Sequence, residues 1–226
     1  MIDSLFMDGR PGSAPDNVTV LWCGTDGDER RRARTLLVRA AAELLDVPAA
    51  EVWLEHEPGG RPFLGGAGTA LRVSVAHARG ALAVALTTAF PVGVDVEVVR
   101  RLRADAMARA WLDPVEADWV AALPEADRSA AFLWLWTQKE AVGKALGQGL
   151  RGGGMSRSMP LPEHWPPVAG EPAVPRPLPG APDLASAAVG VGGGRHIIGV
   201  ALHGTDGAVP SRAGVRVCVR EVSPAP

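Results

Sequence analysis

Leu71-Arg-Val-Ser-Val-Ala-His-Ala-Arg-Gly80-Ala-Leu-Ala-Val-Ala-Leu-Thr87 is the stretch that decides the fold. Alternation over Leu71 to Ala76 and an apolar run from Ala81 to Leu86 meet at Gly80, which predicts two antiparallel strands joined by a turn. A second stretch repeats that layout: Ala185 to Val191 and His196 to His203 flank the turn Gly192-Gly-Gly194. Each pair follows a helical segment. Working outward, Asp28 to Leu45 sets Leu36, Leu37, Ala40, Ala41, Leu44 and Leu45 in a helical stripe, with Arg30, Arg31, Arg32, Arg34 and Arg39 mostly off it and Pro48 beyond its end. Strand-like alternation marks Glu51 to Glu57 and Val92 to Val98 as well.

After Arg103 the period becomes helical through Trp111, and a new helix starts at Asp113, where Pro114 and Glu116 form a capping-box pattern. A longer helix is predicted from Glu125 to Leu146. The nine prolines between Pro160 and Pro182 forbid a continuous helix or an inner strand, so an extended loop is expected there. Gly214 to Val222 reads as a closing strand. The expected class is α+β, a pseudo-duplicated fold of two subdomains. Residues 1–103 form an N-terminal half and 104–226 a C-terminal half, each a helix packed on a small antiparallel sheet.

Composition narrows the function. A chain of 226 residues buries a substantial core, and a net charge of -2 supplies no global attraction to nucleic acid or to an anionic membrane. The apolar runs Ala81 to Leu86 and His196 to Leu202 fall far short of a bilayer span. The opening MIDSLFMDGRPGS does not read as a secretion signal, and Cys23 and Cys218 alone suit a reducing compartment. A cytoplasmic monomer is expected.

Two constellations carry chemistry. In Gly93-Val94-Asp95-Val96-Glu97 the carboxylates stand two apart, so pleating sends both to one face of a strand. They either reach solvent at a strand end or share a cation. On the helix Trp136-Thr-Gln-Lys-Glu140-Ala-Val-Gly-Lys144, the residues Trp136, Glu140 and Lys144 recur every four positions along one face. Glu140 and Lys144 form either a surface salt bridge or part of a packed site. A third carboxylate joining two from a strand suits Mg²⁺, which takes oxygen ligands at about 2.0–2.1 Å and keeps positions for water and phosphate. The chain has no His/Cys spacing for zinc, no P-loop and no nucleophile elbow. Metal-assisted chemistry on a phosphate ester or anhydride is what remains.

Together these residues resemble the 4′-phosphopantetheinyl transferase superfamily, in its larger, two-half Sfp-type branch. The family strand motif Gly-Val/Ile-Asp-Val/Ile-Glu reads GVDVE at Gly93 to Glu97, and the helix motif reads WTQKEAVGKALGQGL at Trp136 to Leu150. Upstream stand Gly60-Arg61-Pro62, for the family's Gly-Lys/Arg-Pro, and a strand ending Ala76-His77-Ala78, where the family has Ser-His-Ser/Thr. The resemblance covers roughly residues 30 to 150, and the C-terminal strands by layout.

That resemblance implies transfer of phosphopantetheine from coenzyme A to a serine of an apo acyl or peptidyl carrier protein. Such carriers belong to polyketide, nonribosomal peptide or fatty acid synthases, as in secondary metabolite biosynthesis. Asp95, Glu97 and Glu140 would hold Mg²⁺, and Glu140 and Lys144 would be catalytic. Lys144, Arg61, His77 and Arg34 would bind the nucleotide phosphates, while Lys139 belongs to the motif without a clear substrate role. Either Glu140 or a metal-bound water would take the serine proton. Ala76 and Ala78 remove two hydroxyls that usually flank the histidine, which shifts coenzyme A binding toward Arg61 and the N-terminal arginines. Those two alanines also leave room for another reading, a non-catalytic coenzyme A or carrier-binding module.

Overall fold

The computed structural model describes residues 17–149, 154–167, 173–205, 207–210 and 214–223. The opening thirteen residues, Leu150 of the helix motif and residues 168–172 of the proline-rich segment lie outside the described residues. Along the chain run β1 (Val18–Gly24), α1 (Glu29–Leu45), β2 (Val52–His56), β3 (Pro62–Gly66), β4 (Arg72–Ala78), β5 (Ala81–Thr87) and β6 (Val92–Val98). They are followed by α2 (Ala104–Trp111), α3 (Pro114–Ala122), α4 (Glu125–Ala145), β7 (Arg176–Leu178), β8 (Ala181–Val191), β9 (His196–His203) and β10 (Val217–Glu221). No helix among the described residues is long and apolar enough to cross a membrane.

The α+β class expected from sequence is the one observed. Two four-stranded sheets, ordered β10-β1-β5-β4 and β6-β9-β8-β7, stand beside the small hairpin β2-β3. The two stretches read as strand pairs are the antiparallel hairpins β4–β5 and β8–β9. Strand β6 joins the sheet of the second half while β10 joins that of the first, so each sheet carries one strand from the other half. The β10 pairing with β1 is parallel.

Strand β1 has no alternation to betray it, because nearly all of its residues are buried. A strand covered on both faces reads as a plain apolar run. The proline-rich segment also differs from the expected loop. It contains β7 and the first residues of β8, which begins at Ala181 rather than Ala185. An edge position lets β7 hold Pro177, and Pro182 precedes Leu184, where pairing with β9 starts, so no β9 bond needs its missing N–H.

Side-chain alternation stacks the elements in layers. Helix α1, capped by Asp28 accepting from Arg31 N at 3.0 Å, buries Ala33, Leu36, Leu37, Ala40 and Ala41 against Leu21, Leu82, Val84 and Leu86 of the first sheet. The opposite face of that sheet meets the second sheet through Val20, Ala83 and Ala85 on one side and Val94, Val96, Ile198 and Val200 on the other. Because Val92, Val94 and Val96 fill this middle layer, Gly93, Asp95 and Glu97 must point the other way, toward α4.

Helix α4 lies directly on β6 and β9. A Cβ at Gly93 would overlap the Ala141 carbonyl oxygen and come within 2.6 Å of Ala145 N, and one at Gly199 would come within 2.8 Å of Gln138 N. Both obstacles are helix backbone, which cannot swing aside. Gly93→Ala is therefore expected to cost about 3 kcal/mol or more in urea unfolding. Gly190→Ala, with open space around an exposed strand glycine, should stay within about 0.5 kcal/mol of wild type. Equal stability of the two variants would contradict the close contact of α4 with the sheet.

Candidate functional site

Between Ala131 and Ala145 every residue of α4 is buried except Trp136, Glu140 and Lys144. The helix is thus enclosed on all sides but one, and the stripe seen in the sequence is its open seam. Trp136 stacks on Phe132 with ring centroids 5.8 Å apart, which closes the seam at one end.

Lys144 does not pair with Glu140. Its Nζ donates to Asp95 Oδ1 at 2.9 Å and to the Val94 carbonyl at 2.9 Å. The Asp95 carboxyl is pushed above the usual carboxylate range by burial, with the Glu97 charge adding to the rise and Lys144 opposing it. Glu97 is itself engaged by Arg100, Nη1 to Oε2 at 2.8 Å. Sequence reading passed over Arg100, although its place three residues beyond Glu97 was available as a signal.

Glu140 makes no ion pair among the described residues. Burial pushes its carboxyl upward, the neighbouring Asp95 and Glu97 charges push the same way, and Lys144 partly offsets them. These mutual effects show Asp95, Glu97, Glu140 and Lys144 sharing one electrostatic environment. Arg61 reaches the same end of α4 from the β2–β3 hairpin, Nη2 donating to the Ala145 carbonyl at 3.3 Å. A guanidinium there meets the negative end of the helix dipole.

Two expected phosphate ligands are not bonded to this cluster. His77 is exposed and shares the face of β4 that carries Val73 and Val75, the face covered by α1. Arg34 is exposed on α1. Neither forms a hydrogen bond or ion pair with Asp95, Glu140 or Lys144. Of the other basic residues at the start of α1, Arg32 is tied to Asp26 at 3.3 Å.

Lys139, next to Glu140 in sequence, points into the core. Its side chain is 0% exposed and Nζ stands 2.7 Å from Glu116 Oε2, itself on a side chain 1% exposed. Nζ also donates to the Arg157 carbonyl. Glu116 accepts from Asp113 N at 3.0 Å, completing the α3 capping box, and from Met159 N at 2.6 Å. Burial draws the Lys139 ammonium below its ordinary pKa, while the Glu116 contact resists the change. One residue earlier, Gln138 accepts from the Ser186 hydroxyl at 2.8 Å. Helix α4 is therefore pinned to α3, to the segment after its own end and to β8.

Among the described residues no three His, Cys, Asp or Glu side chains stand at metal-ligand spacing. The donor set still has the chemistry of a hard-cation site. Asp95 and Glu140 stand where burial and neighbouring negative charge disfavour their ionised forms, Glu97 shares the strand face of Asp95, and a cation would relieve both effects. Lys144 supplies part of that relief here.

Residues 91–175 match the family model described as the 4′-phosphopantetheinyl transferase superfamily, and this span contains β6, α4 and the side chains of Asp95, Glu97, Arg100, Glu140 and Lys144. Over 129 residues the chain is 28% identical to the 4′-phosphopantetheinyl transferase HetI of Nostoc sp., a match covering 54% of this chain and 54% of that protein. The chain spans about half the length of this curated relative.

The two lysines of α4 should separate in stability measurements. Lys139→Met, which strands a buried carboxylate, is expected to cost about 3–5 kcal/mol. Lys144→Met removes a partner that is 30% exposed, beside an Asp95 within reach of water, and should cost about 1 kcal/mol. Equal losses in urea titrations would show that both pairs serve the fold alike.

Proposed function

We propose, from the match of residues 91–175 to the family model of the 4′-phosphopantetheinyl transferase superfamily, that the chain is a member of that superfamily and moves the phosphopantetheine arm of coenzyme A onto a serine of an apo acyl or peptidyl carrier protein. The supporting observation is the facing of α4 and β6, with Lys144 bonded to Asp95 and Glu140 one turn away on the same seam. On this reading the protein is of the two-half, Sfp type and works on carriers of polyketide, nonribosomal peptide or fatty acid synthases. Residues 1–103 chiefly serve the nucleotide, and residues 104–226 bring Glu140 and Lys144.

Asp95, Glu97 and Glu140 are the residues that would hold Mg²⁺ against the coenzyme A pyrophosphate. When bound, the ion neutralises phosphate charge and makes the phosphorus more electrophilic. The carrier serine oxygen forms a bond to the β-phosphorus, and the bond from that phosphorus to the bridging oxygen breaks. The electron pair leaves with adenosine 3′,5′-bisphosphate. Glu140, on the open seam one helical turn from Lys144, takes the serine proton. Lys144 offsets charge on the leaving group, and Arg61 adds positive charge at the same end of the helix. Arg34 and His77 are assigned to the nucleotide phosphates as exposed groups with no ion pair among the described residues.

Incubation with coenzyme A, Mg²⁺ and a panel of apo carrier proteins should add one phosphopantetheine mass to at least one carrier, read by intact-mass spectrometry. Asp95→Ala and Glu140→Ala should each slow transfer ~100-fold or more, with circular dichroism unchanged. Near-normal rates in either variant would remove that residue from the mechanism. Retention of coenzyme A without transfer to any carrier would favour the non-catalytic binding module that Ala76 and Ala78 allow.

A further inference from the structure

Strand β6 closes one edge of its sheet, with β9 as its only ladder partner among the described residues. The outward N–H of Val94 therefore has no strand to receive it. A buried amide without an acceptor is costly, and here the acceptor comes from the other sheet. Val94 N donates to Ser74 Oγ of β4 at 3.0 Å, with Val94 0% and Ser74 4% exposed.

Ser74 is out of character with its surroundings. It shares a face of β4 with Ala76, and that face looks into a layer made of Ala83, Ala85, Val92, Val96 and Ile198. A hydroxyl gains nothing from an apolar layer unless it meets a polar partner, and the Val94 amide is that partner. The other side of the same residue is also held, because the Val94 carbonyl accepts from Lys144 Nζ at 2.9 Å. Val94 directly precedes Asp95. The backbone that aims the Asp95 carboxylate is thus gripped by Ser74 from the first sheet and by Lys144 from α4.

We propose that Ser74 is a positioning residue for Asp95, setting through the Val94 amide where the carboxylate stands between β6 and α4. The inference rests on the reading of Asp95 as a residue that works at a Mg²⁺ and phosphate site. Outer partners that orient a ligating carboxylate commonly control metal affinity as strongly as they control rate. Ser74 acts through Val94, the residue that precedes Asp95. Its effect passes wholly through one hydrogen bond across the seam between the sheets.

The test compares wild type, Ser74→Ala and Ser74→Thr in two readouts, Mg²⁺ titration of the melting temperature and Mg²⁺ titration of transfer to a carrier. In Ser74→Ala the Mg²⁺ midpoint should rise ~10-fold or more in both, kcat should fall by a similar factor, and KM for the carrier should stay within about twofold. Ser74→Thr, which keeps the oxygen, should restore the midpoint to within about threefold of wild type. Should Ser74→Ala not fold, Ser74→Cys replaces it, since a thiol fills the space but accepts weakly, and the same rise is expected. A wild-type Mg²⁺ midpoint in Ser74→Ala overturns the proposal, as does equal impairment in Ser74→Thr, or a wild-type protein whose melting ignores Mg²⁺. If the wild type transfers nothing yet its melting responds to Mg²⁺, the transferase reading fails while the melting midpoints still decide the role of Ser74.

Discussion

Backbone contact between α4 and the strands beneath it is the constraint on which the remaining structure depends. Gly93 and Gly199 put no side chain between helix and sheet, and the nearest obstacles to one are helix backbone atoms. At that distance the stretch of α4 from Ala131 to Ala145 is enclosed almost completely, and within it only Trp136, Glu140 and Lys144 look outward along one seam. Strand alternation then completes the site without further instruction. If Val94 and Val96 fill the layer between the sheets, Asp95 and Glu97 must face the helix that Gly93 admits.

Charge is used in two different ways on this helix. The Lys139–Glu116 pair is closed off from solvent, and its remaining valences are met by the Arg157 carbonyl and by the amides of Asp113 and Met159. An ion pair so buried and so fully bonded is poor at exchanging partners, and its consequence is a fixed rotation and height for α4. Lys144 and Asp95 are 30% and 14% exposed. Their pairing leaves a path for water and for a competing ligand. Neighbouring residues on one helix thus divide the work, Lys139 holding the position from which Glu140 and Lys144 face β6.

The same division extends across the two sheets. Ser74 bonds the first sheet to the strand that bears Asp95, and Arg61 bonds the β2–β3 hairpin to the last turn of α4. Both bonds come from the N-terminal half to residues inside the span that matches the transferase superfamily. A site built largely from β6 and α4 is therefore steadied by groups outside that span. Exchange of β6 and β10 between the sheets adds backbone pairing to these side-chain ties.

Local pattern was enough for much of this. The hairpins β4–β5 and β8–β9, the capping box at Asp113, the Trp136–Glu140–Lys144 seam and the shared face of Asp95 and Glu97 all follow from periods of two or 3.6 residues and from cap chemistry, which neighbouring residues settle among themselves. Strand β1 was hidden because burial on both faces erases alternation, and its parallel pairing with β10 joins opposite ends of the chain. Partner choice was equally out of reach. Spacing alone offered Glu140 to Lys144 and no partner to Lys139, whereas packing gave Asp95 to Lys144 and Glu116 to Lys139. The sequence by itself determined which residues carry charge and which face of its own element each one occupies. Only the tertiary structure decided which charges meet and which are sealed from water, because an ion pair depends on distance and solvent access, and both arise when separate elements pack.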